Sequence, residues 1–387
     1  MRTSEASLCE GVFAATRHLE TPLLALDLTQ VARNVENVRS AFPGIELYYA
    51  LKCNPHPAIA SELARLDVGF EVASSNELRM LLAANVPAQR LMCLHTVKST
   101  AFLRELDEAG VRVLAVDSVE EIEKVAQLAP HSQLVIRLKL DCRGSRVPLE
   151  HKFGCSAGCA VDLARVSRRS GLEVVGVTMH VGSQCEQLAA WEEALQACGA
   201  VCTTLVAEGI NVQIVSLGGG LPVPYTDDVP ILEDIGRVIT AAAPQRSGSS
   251  GCRATIEPGR AIAASAGTLV TTVIGTAQRA DCSWAYLDAG LYHGLFETLP
   301  AAGGLRLPIE VDQARGPTRR YRLAGPTCDS LDTLPGYYEL PELRAGDRIA
   351  FRYAGAYSTS MATWFNGFEP PTTVLLASTE QEEVCCA

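Results

Sequence analysis

The sequence lacks the signals that mark several common classes of protein. Met1–Glu20 contains no uninterrupted apolar run of the kind found in a secretory leader, and no other window is apolar over the length that spans a bilayer. Lysine and arginine number 33 against 44 aspartates and glutamates, and the resulting net charge of −11 argues against non-specific binding to nucleic acid. We therefore expect a soluble, cytoplasmic protein that binds neither membranes nor nucleic acids.

The 14 cysteines are scattered and include no Cys-x-x-Cys pair. Cys155/Cys159 and Cys198/Cys202 are four residues apart, a spacing that one face of a helix explains as well as metal binding does. We expect free thiols in a reducing compartment and no metal site. The final residues, Cys385-Cys386-Ala387, do not form a prenylation signal.

Apolar, β-branched runs alternate with helical patterns along most of the chain, which predicts an α/β fold with parallel strands. Polar residues follow nearly every run, and in a (β/α)8 TIM-like barrel these strand ends converge on one site, so we favour the barrel over an open doubly wound sheet. Ser74-x-x-Glu77 and Ser118-x-x-Glu121 predict helix starts, and Thr29 is a candidate N-cap after a strand at Pro22–Leu28. The predicted barrel strands are Glu46–Ala50, Val68–Val72, Arg90–Cys93, Val111–Val116, Leu134–Leu140, Leu172–His180, Gln213–Leu217 and Ala254–Glu257.

After Arg260 the pattern changes to short β-rich runs separated by glycine and proline turns, which predicts an antiparallel β-domain. The strand near Pro22 is expected to join it, and Gln245–Gly251 is predicted to be a flexible loop. We therefore expect a barrel over residues 29–262 and a β-sandwich or β-barrel domain formed by residues 1–28 and 263–387. The predicted strands of this second domain are Thr268–Ile274, Trp284–Asp288, Arg320–Ala324, Arg348–Tyr353 and Thr373–Ala377.

One lysine stands out within Tyr48–Pro55, where a strand-like run reaches Lys52 and Asn-Pro then ends it. Partial burial would lower the pKa of this lysine and make its free amine a nucleophile toward an aldehyde. Taken alone, Lys52 reads more readily as a lysine that extends from a strand end into solvent.

Four further motifs are weak individually. His180-Val181-Gly182-Ser183 could place an imidazole flat on an aromatic cofactor, and Gly218-Gly219-Gly220 could wrap an anion with backbone N–H groups. No Gly-Lys-Ser/Thr ending follows those glycines, so a nucleoside triphosphate is not indicated. Glu257-Pro258-Gly259-Arg260 could present an acid and a guanidinium to one ligand, although for this motif alone we favour a surface ion pair. Cys328 beside Asp329 in a Gly-Pro loop could be a proton donor or a nucleophile.

Together, and in this order, these motifs resemble the ornithine decarboxylase family of pyridoxal phosphate enzymes, whose barrel is of the alanine racemase type. The matching stretches are Tyr-Ala-Leu-Lys-Cys-Asn at 49–54, His-Val-Gly-Ser at 180–183, Gly-Gly-Gly at 218–220, Glu-Pro-Gly-Arg at 257–260, Gly-Pro-Thr-Cys-Asp at 325–329 and Gly-Ala-Tyr at 355–357. Asn366-Gly367-Phe368 also fits, and the resemblance runs from Pro22 to Leu376.

The resemblance implies a role for each matched residue. Lys52 would form the Schiff base with the cofactor aldehyde, Glu257 would bind the pyridine nitrogen and His180 would stack on the ring. Cys328 would deliver a proton to the α-carbon after loss of the carboxylate. The cofactor phosphate would be held by Ser183, Gly219, Gly220, Arg260 and Tyr357, and the cofactor pocket would be lined by Glu71, Glu77 and Arg137.

The resemblance also implies an obligate homodimer in which Cys328 and Asp329 complete the site of the neighbouring subunit. Lys152 matches a lysine that pairs across the interface with the position of Asp332, and Gly355 matches an interface glycine. Replacing Lys152 by alanine would then weaken dimerisation and activity together.

The substrate end of the site departs from the family pattern. Asp329 matches the acid that binds the distal amine of ornithine, but Pro300-Ala301-Ala302 stands where a second acid is usual, and Glu297 is displaced from that position. His293 stands beside Tyr292 where a small residue is usual, and Phe365 is a further candidate contact. L-Ornithine, decarboxylated to putrescine, is the expected substrate. Lysine, or a larger conjugated amino acid of the siderophore or secondary-metabolite type, stays open.

Other readings carry less weight. Gly-Pro-Thr-Cys-Asp-Ser-Leu-Asp at 325–332 disfavours a diaminopimelate decarboxylase, and a racemase would have a tyrosine base at the position of Cys328. A catalytically inactive homologue would have lost cofactor residues, whereas Lys52, Glu257 and Arg260 are all present.

Overall fold

The computed structural model describes residues 6–242, 252–279 and 282–377. Contacts divide the chain into two compact units. The barrel unit comprises Asn34–Val223 and Val229–Ala261, and the β unit takes the described residues up to Arg33, the segment Pro224–Asp228 and those from Ile262 onward.

Two sequence predictions concern segments beyond these limits. The loop at Gln245–Gly251 and the tail at Cys385-Cys386-Ala387 both lie outside the described residues.

Eight parallel strands form the sheet of the barrel unit. In chain order the strands are β1 (Glu46–Ala50), β2 (Gly69–Glu71), β3 (Leu91–Met92), β4 (Val113–Val116), β5 (Gln133–Arg137), β6 (Glu173–Thr178), β7 (Ile214–Ser216) and β8 (Arg253–Ile256). Their order in the sheet is β3-β2-β1-β8-β7-β6-β5-β4, and a single parallel bridge between Cys93 and Leu114 connects the strands at its two ends. The barrel is therefore nearly closed, and the predicted (β/α)8 fold is confirmed.

Helices connect most of these strands, and their starts follow local capping rules. Ser74 and Ser118 accept hydrogen bonds from the N–H groups of Glu77 and Glu121, at 3.3 and 3.2 Å, as the capping motifs predict. The α-helices are Ala6–Thr16, Leu28–Ala41, Pro57–Arg65, Ser75–Ala83, Thr100–Ala109, Val119–Leu128, Ala157–Arg169, Leu188–Ala207, Leu232–Ala242 and Arg260–Ala263.

The predicted N-cap at Thr29 is wrong. Asp27 takes this role, because its Oδ1 accepts from the N–H groups of Thr29 at 2.8 Å and Gln30 at 3.2 Å. The helix therefore begins at Leu28, two residues before the start that an N-cap at Thr29 would give. A short carboxylate two residues upstream satisfies the free N–H groups better than the threonine itself can.

Short 3-10 turns and one small antiparallel pair lie between the main elements. The pair joins Ser145–Val147 to Ser183–Cys185 and was not foreseen. The turns are Leu51–Cys53, Ala88–Arg90, Ala264–Ala266, Leu291–His293, Phe296–Thr298, Pro300–Ala302, Thr359–Met361 and Phe365–Gly367.

The β unit holds a second sheet of eight strands, which is mostly but not wholly antiparallel. Leu23–Leu26 runs parallel to Thr372–Leu375, and Cys282–Leu287 runs parallel to Arg319–Ala324. The prediction of an antiparallel β-domain is confirmed for the rest of the sheet, and the expected entry of the first strand into this sheet is confirmed as well. The other strands are Gly267–Arg279, Ile309–Val311, Tyr338–Leu340 and Arg348–Phe351.

Each unit has an apolar core of its own. Tyr48, Val113, Val135, Val175 and Ile214 belong to one buried cluster drawn from the barrel strands. The β unit buries another cluster, built on the inward-facing positions of its long strands. Full burial of each such side chain contributes about 1.5–3 kcal/mol, so these cores hold the strand ends in place.

Two kinds of feature are absent from the described ranges. No helix there is long and apolar enough to cross a membrane. No group of three or more histidine, cysteine, aspartate or glutamate side chains in those ranges is arranged to hold a metal ion.

Candidate active site

Lys52 lies in the 3-10 turn that follows β1, at the carboxyl end of the barrel sheet. The turn is closed by Tyr49, whose hydroxyl donates to the Asn54 carbonyl at 3.1 Å. The Nζ of Lys52 donates to Oε2 of Glu71, at the end of β2, over 2.7 Å. The lysine side chain is 49% exposed and that of Glu71 only 3%, so a buried carboxylate holds a solvent-accessible amine. That amine can be reached by a small aldehyde.

Glu257 follows β8 and is buried. Burial, followed by the charge of Glu71, raises the pKa of its carboxyl group, while the hydrogen bond from the Ser216 hydroxyl opposes that rise. Burial likewise lowers the pKa of Arg137 at the end of β5, and the nearby carboxylates of Glu257 and Glu71 act in the opposite direction. Acids and bases therefore share one low-dielectric region at the strand ends.

His180 follows β6 and accepts a hydrogen bond on Nδ1 from the N–H of Gly182 at 2.9 Å. Desolvation, followed by the charges of Arg137 and Lys52, lowers the pKa of this imidazole well below its usual value. The ring is therefore neutral at physiological pH, and the Gly182 hydrogen bond requires its proton to be on Nε2. A neutral flat ring is suited to stacking rather than to ion pairing.

The positions of the glycine triplet after β7 accept only glycine, because there is no room for a side chain. A Cβ on Gly219 would lie 2.9 Å from the Glu257 carbonyl oxygen and 3.2 Å from Nε2 of His180. Gly220 has φ of +113°, and a Cβ there would overlap the carbonyl oxygen of Gly182. The backbone of this loop therefore packs closely against neighbouring backbone. Backbone N–H and carbonyl groups are the only functional groups that the glycines offer.

A buried guanidinium lies near that loop. Nη2 of Arg260 donates to the Ser183 hydroxyl at 3.1 Å, and Arg260 is 5% exposed. Ser183 follows Gly182, whose carbonyl packs against Gly220. Gly219, Gly220, Ser183 and Arg260 thus form one polar cradle in the barrel unit, and its chemistry suits a phosphate group.

Glu77 makes a hydrogen bond at the start of its own helix. Its Oε2 accepts from the N–H of Ala73 at 2.6 Å, at the start of its own helix. Burial raises the pKa of its carboxyl group. Glu77 therefore caps a helix beside Glu71, and the structure gives it no further polar contact in the cradle.

The predicted substrate-side residues belong to three neighbouring turns of the β unit. The Tyr292 hydroxyl donates to Oδ2 of Asp329 at 2.5 Å, and the Tyr292 ring lies 4.6 Å from that of Phe365. This hydrogen bond lowers the pKa of Asp329 and raises that of Tyr292. Cys328 is exposed, and its backbone N–H donates to Oδ1 of Asn366 at 3.0 Å. Tyr292, Cys328, Asp329 and Phe365 are therefore brought together.

Glu297 and Tyr357 line a separate small pocket of the β unit. Its other walls include Tyr225, Tyr353 and Leu305. Neither Asp329 nor Phe365 takes part in that lining. The structure thus groups Glu297 with Tyr357 and not with the predicted distal-amine acid.

The contacts of two residues in these groups, Ser216 and Asn366, were not predicted from the sequence. Ser216, two residues before Gly218, hydrogen-bonds Glu257, and its position at the end of β7 was the available signal. Asn366 was noted only as part of a matching motif. Its φ of +60° in an Asn-Gly turn allows its side chain to reach the Cys328 N–H.

Four features lie at the carboxyl end of the parallel barrel: a lysine, a buried acid, a neutral imidazole, and an anion cradle made of glycines and an arginine. Together they define a cofactor-dependent enzyme. The sequence profile described as pyridoxal-dependent decarboxylase, pyridoxal binding domain, matches residues 28–264. The chain belongs to this family of amino-acid decarboxylases, and pyridoxal phosphate is its cofactor. The resemblance read from the motifs is confirmed.

Relatives extend the match over nearly the whole chain. The lysine/ornithine decarboxylase of Selenomonas ruminantium is 31% identical over 93% of this chain and 90% of its own length. Ornithine decarboxylase 2 of Drosophila melanogaster is 32% identical over 93% of both chains. The crystal structure of lysine/ornithine decarboxylase from Vibrio vulnificus complexed with cadaverine superposes with a TM-score of 0.88 at 30% identity, covering 98% of this chain and 100% of that one. These relatives indicate decarboxylation of a basic amino acid.

The residues present fit the cofactor. The cradle leaves no room for a Cβ at Gly219 and places a guanidinium and a hydroxyl beside it, as a phosphate requires. Lys52 presents an accessible amine to an aldehyde, and Glu257 is a buried acid suited to a ring nitrogen.

Proposed function

We propose that the protein decarboxylates L-ornithine to putrescine. The observation that supports this most directly is Asp329, a carboxylate whose pKa is held below its usual range by the Tyr292 hydroxyl. Among the described residues, no lysine, arginine or histidine lies within ion-pair distance of it. An anionic side chain without a cationic neighbour is suited to the distal ammonium of a basic amino acid.

In the barrel unit, the proposed roles follow the contacts. Lys52 would hold the cofactor through its aldehyde, and Glu257 and His180 would hold its ring, the first as a buried acid and the second as a neutral flat imidazole. Ser183, Gly219, Gly220 and Arg260 would bind the phosphate. Glu71 keeps the Lys52 amine in place, and Arg137 offsets the charge of the two buried acids. When bound, pyridoxal phosphate supplies an electron sink for the pair left behind by the departing carboxylate.

Cys328 supplies the proton in this proposal. Carbon dioxide leaves the α-carbon, the Cys328 thiol donates its proton to that carbon, and the thiolate regains a proton from water. The exposure of Cys328 is consistent with a group that must reach a substrate held elsewhere.

We further propose a homodimer in which Cys328 and Asp329 serve the barrel of a second copy. Apolar side chains near Cys328 are exposed, with Leu331 at 66%, Trp364 at 65% and Phe365 at 44%. Such a surface is typical of an interface.

Mixing two inactive variants tests the shared site. Equal amounts of Lys52→Ala and Cys328→Ala subunits should regain about a quarter of the wild-type activity, because half of the dimers are mixed and each mixed dimer has one intact site. Sedimentation should show a dimer throughout. No recovery after subunit exchange would contradict the shared site.

The substrate is tested by carbon dioxide release from the protein loaded with pyridoxal phosphate, using ornithine, lysine, arginine, diaminopimelate and 2,4-diaminobutyrate. Ornithine should have the highest kcat/KM. Asp329→Asn should lower kcat/KM for ornithine by about 10- to 100-fold, as expected for loss of a charged hydrogen bond. L-Norvaline, which lacks the distal amine, is the matched control and should be unaffected by the substitution. An equal loss for both substrates would mean that Asp329 does not read the amine.

A second candidate substrate is lysine or a larger conjugated amino acid. The observation that favours it is the turn at Pro300–Ala302, which contains no acid where the resemblance leads one to look for it. A higher kcat/KM for lysine than for ornithine would favour lysine. Turnover of none of the five simple amino acids by a protein that retains its cofactor would favour the conjugated amino acid.

A further inference from the structure

Lys98 is a buried lysine to which the proposed mechanism gives no part. It lies in the segment after β3, and its side chain is 0% exposed. An ammonium group inside a protein is costly unless hydrogen bonds and an opposite charge replace its water. Its Nζ donates to the carbonyls of His95 at 3.0 Å, Thr96 at 3.2 Å and Ala115 at 2.7 Å. It also pairs with Oε1 of Glu121 at 3.1 Å, so the barrel unit supplies both requirements.

The three carbonyls lie on both sides of the junction between β3 and β4, which we call the seam. In the described chain these strands share only the Cys93–Leu114 bridge, whereas every other pair of neighbouring strands in this sheet shares at least two residue pairs. Two backbone hydrogen bonds accompany the bridge, from the Cys93 N–H to the Val113 carbonyl at 3.0 Å and from the Ala115 N–H to the Cys93 carbonyl at 2.9 Å. Lys98 adds a side-chain connection where the backbone ladder is shortest.

The helix Val119–Leu128 holds the other end of this arrangement. Oε1 of Glu121 also accepts from the backbone N–H of Lys98 at 3.1 Å. Lys124 pairs with Oε2 of Glu121 at 2.6 Å and donates to the Lys98 carbonyl at 2.6 Å. Glu121 therefore has two cationic partners, one fully buried and one 28% exposed. Removing either lysine removes one positive charge from Glu121, but only the Nζ of Lys98 contacts the seam.

The seam is connected to the lysine that is proposed to hold the cofactor. Glu71, at the end of β2, is the register partner of Met92 in β3, and the Val72 N–H donates to the Met92 carbonyl at 2.9 Å. Oε2 of Glu71 in turn accepts from the Nζ of Lys52 at 2.7 Å. The position of β3 therefore helps to set the position of the carboxylate that holds the amine.

His95 lies between these groups. Its ring packs edge-on against Phe153, with the ring centres 5.5 Å apart. Burial, followed by the charge of Lys98, lowers the pKa of this imidazole, and the charge of Glu71 acts in the opposite direction. Lys98 and Glu71 are therefore close enough to influence the same ring at the strand ends.

We propose that Lys98 is a positioning residue that closes the seam, holds β3 beside β2 and so keeps Glu71 in contact with the Lys52 amine. The inference rests on the proposed role of Lys52 and deepens it. Loss of the buried ammonium group should loosen the seam and weaken the Glu71–Lys52 contact. The Lys52 amine should then be protonated less often, because a carboxylate in contact with it favours its charged form.

Lys98→Met and Lys124→Met form the matched pair of variants. Lys52 of the cofactor-free protein is labelled with acetic anhydride, and mass spectrometry of its peptide gives the labelling rate against pH. The midpoint of this profile should fall in Lys98→Met, and a fall of one pH unit makes labelling below the midpoint about tenfold faster. Loss of a positive charge alone acts in the opposite direction, so Lys124→Met should leave the midpoint unchanged or slightly raised.

The other titratable groups near the amine are the same in both variants, so their influence cancels. They are Glu77, His95, His180 and Glu257. An unchanged or raised midpoint in Lys98→Met would overturn the proposal.

Hydrogen exchange tests the seam itself. The N–H groups of Cys93 and Ala115 should exchange about tenfold faster or more in Lys98→Met, as expected for loss of a charged hydrogen bond beside them. The N–H groups of Met179 and Leu217, which bond to the strands on either side of β7 and to β7 itself, should exchange as in the wild type. Equal acceleration at all four groups would indicate a general loss of stability and would overturn the proposal.

Turnover of the loaded enzyme gives a third readout. Lys98→Met should lower kcat about tenfold, whereas Lys124→Met should stay near the wild-type value. Equal losses in the two variants would contradict a role through the seam. Should Lys98→Met fail to fold, Lys98→Gln, which retains an amide donor toward the carbonyls, replaces it. Its labelling midpoint should fall by a smaller amount, and an unchanged or raised midpoint would again overturn the proposal.

The outcomes also distinguish this inference from the proposed function. Absence of carbon dioxide release from every amino acid by the wild type would refute the proposed function, while labelling and exchange of the cofactor-free protein would still decide the role of Lys98. Normal decarboxylation by the wild type, with wild-type labelling of Lys52 in Lys98→Met, would refute only the role of Lys98.

Discussion

The barrel unit and the β unit hold their functional side chains in opposite surroundings. At the barrel strand ends, Glu257 and Arg137 lie among other charges, and burial is the main cause of their shifted pKa values. In the β unit, Asp329 and Tyr292 shift each other's pKa chiefly through one hydrogen bond. Substitutions in the barrel should therefore change both stability and chemistry, whereas substitutions in the turns of the β unit should change chemistry with little effect on stability.

The largest effect is expected at Lys52. Lys52→Ala and Lys52→Arg should each reduce carbon dioxide release by about 10⁴-fold or more, as expected for loss of a covalent catalytic group. The two variants should differ in stability, because arginine can still pair with the buried Glu71 whereas alanine leaves it unpaired. Absorbance of the bound cofactor and thermal unfolding measure the two effects. Equal unfolding temperatures would show that the Lys52–Glu71 pair does not stabilise the fold.

Glu257→Gln should separate activity from stability within the barrel. A carboxyl group with a raised pKa binds its proton more tightly in the folded state, so its ionisation above that pKa disfavours folding. Removing the charge should raise the unfolding temperature of the cofactor-free protein at pH 7, increasingly so as the pH rises above 4.5. Activity should fall by about 10²- to 10³-fold through loss of electrostatic stabilisation. A lower unfolding temperature at neutral pH would argue that burial is not what controls this carboxyl.

Cys328→Ala provides the corresponding test in the β unit. The rate of product formation should fall by about 10²- to 10⁴-fold, the range of a lost general acid. The unfolding temperature should stay within one degree or so of wild type, because surface substitutions away from a core have small effects. Continued carbon dioxide release with an aldehyde product would identify Cys328 as the proton donor. Loss of carbon dioxide release itself would assign it to orienting the substrate instead.

The smallest effect should come from His293, which is buried in the β unit at 0% exposure. Both of its ring nitrogens lack partners among the described residues, and burial lowers its pKa from 6.5. A histidine with a lowered folded-state pKa costs stability as the pH falls below its unfolded value. His293→Leu should therefore flatten the fall in unfolding free energy below pH 6.5, by at most about 1.4 kcal/mol per pH unit.

Chemical denaturation of both proteins at several pH values measures this slope. His180, whose pKa is also lowered, is retained in both, so its contribution cancels. Parallel curves of unfolding free energy against pH would show that His293 is not the titrating group. The 291–293 turn would then contain no buried histidine whose protonation changes the stability of the β unit.

Local sequence patterns predicted much of the structure of the barrel unit. Eight apolar runs predicted eight parallel strands, because each strand is buried and is followed by a helix of different periodicity. Lys52, Glu71, Arg137, His180 and Glu257 could be placed on one side of the barrel because parallel strands bring their carboxyl ends together. Family motifs then supplied the expected roles.

Contacts between distant segments were not predictable in the same way. Leu23–Leu26 pairs in parallel with Thr372–Leu375, from opposite ends of the chain, and no local pattern encodes that direction. Two further features also depended on side-chain geometry. Asp27 caps the helix Leu28–Ala41, and Glu297 lines a pocket to which Asp329 does not contribute.

The sequence by itself determined the parallel barrel, the cofactor family and the identity of the residues at the strand ends, because periodicity and short motifs are local properties. Only the tertiary structure decided that Asp332 lies inside its own loop, that Tyr292 holds Asp329, and that Asn366 holds the Cys328 backbone. The reason is physical: a hydrogen bond depends on distance and direction between groups far apart in sequence, and folding alone sets both.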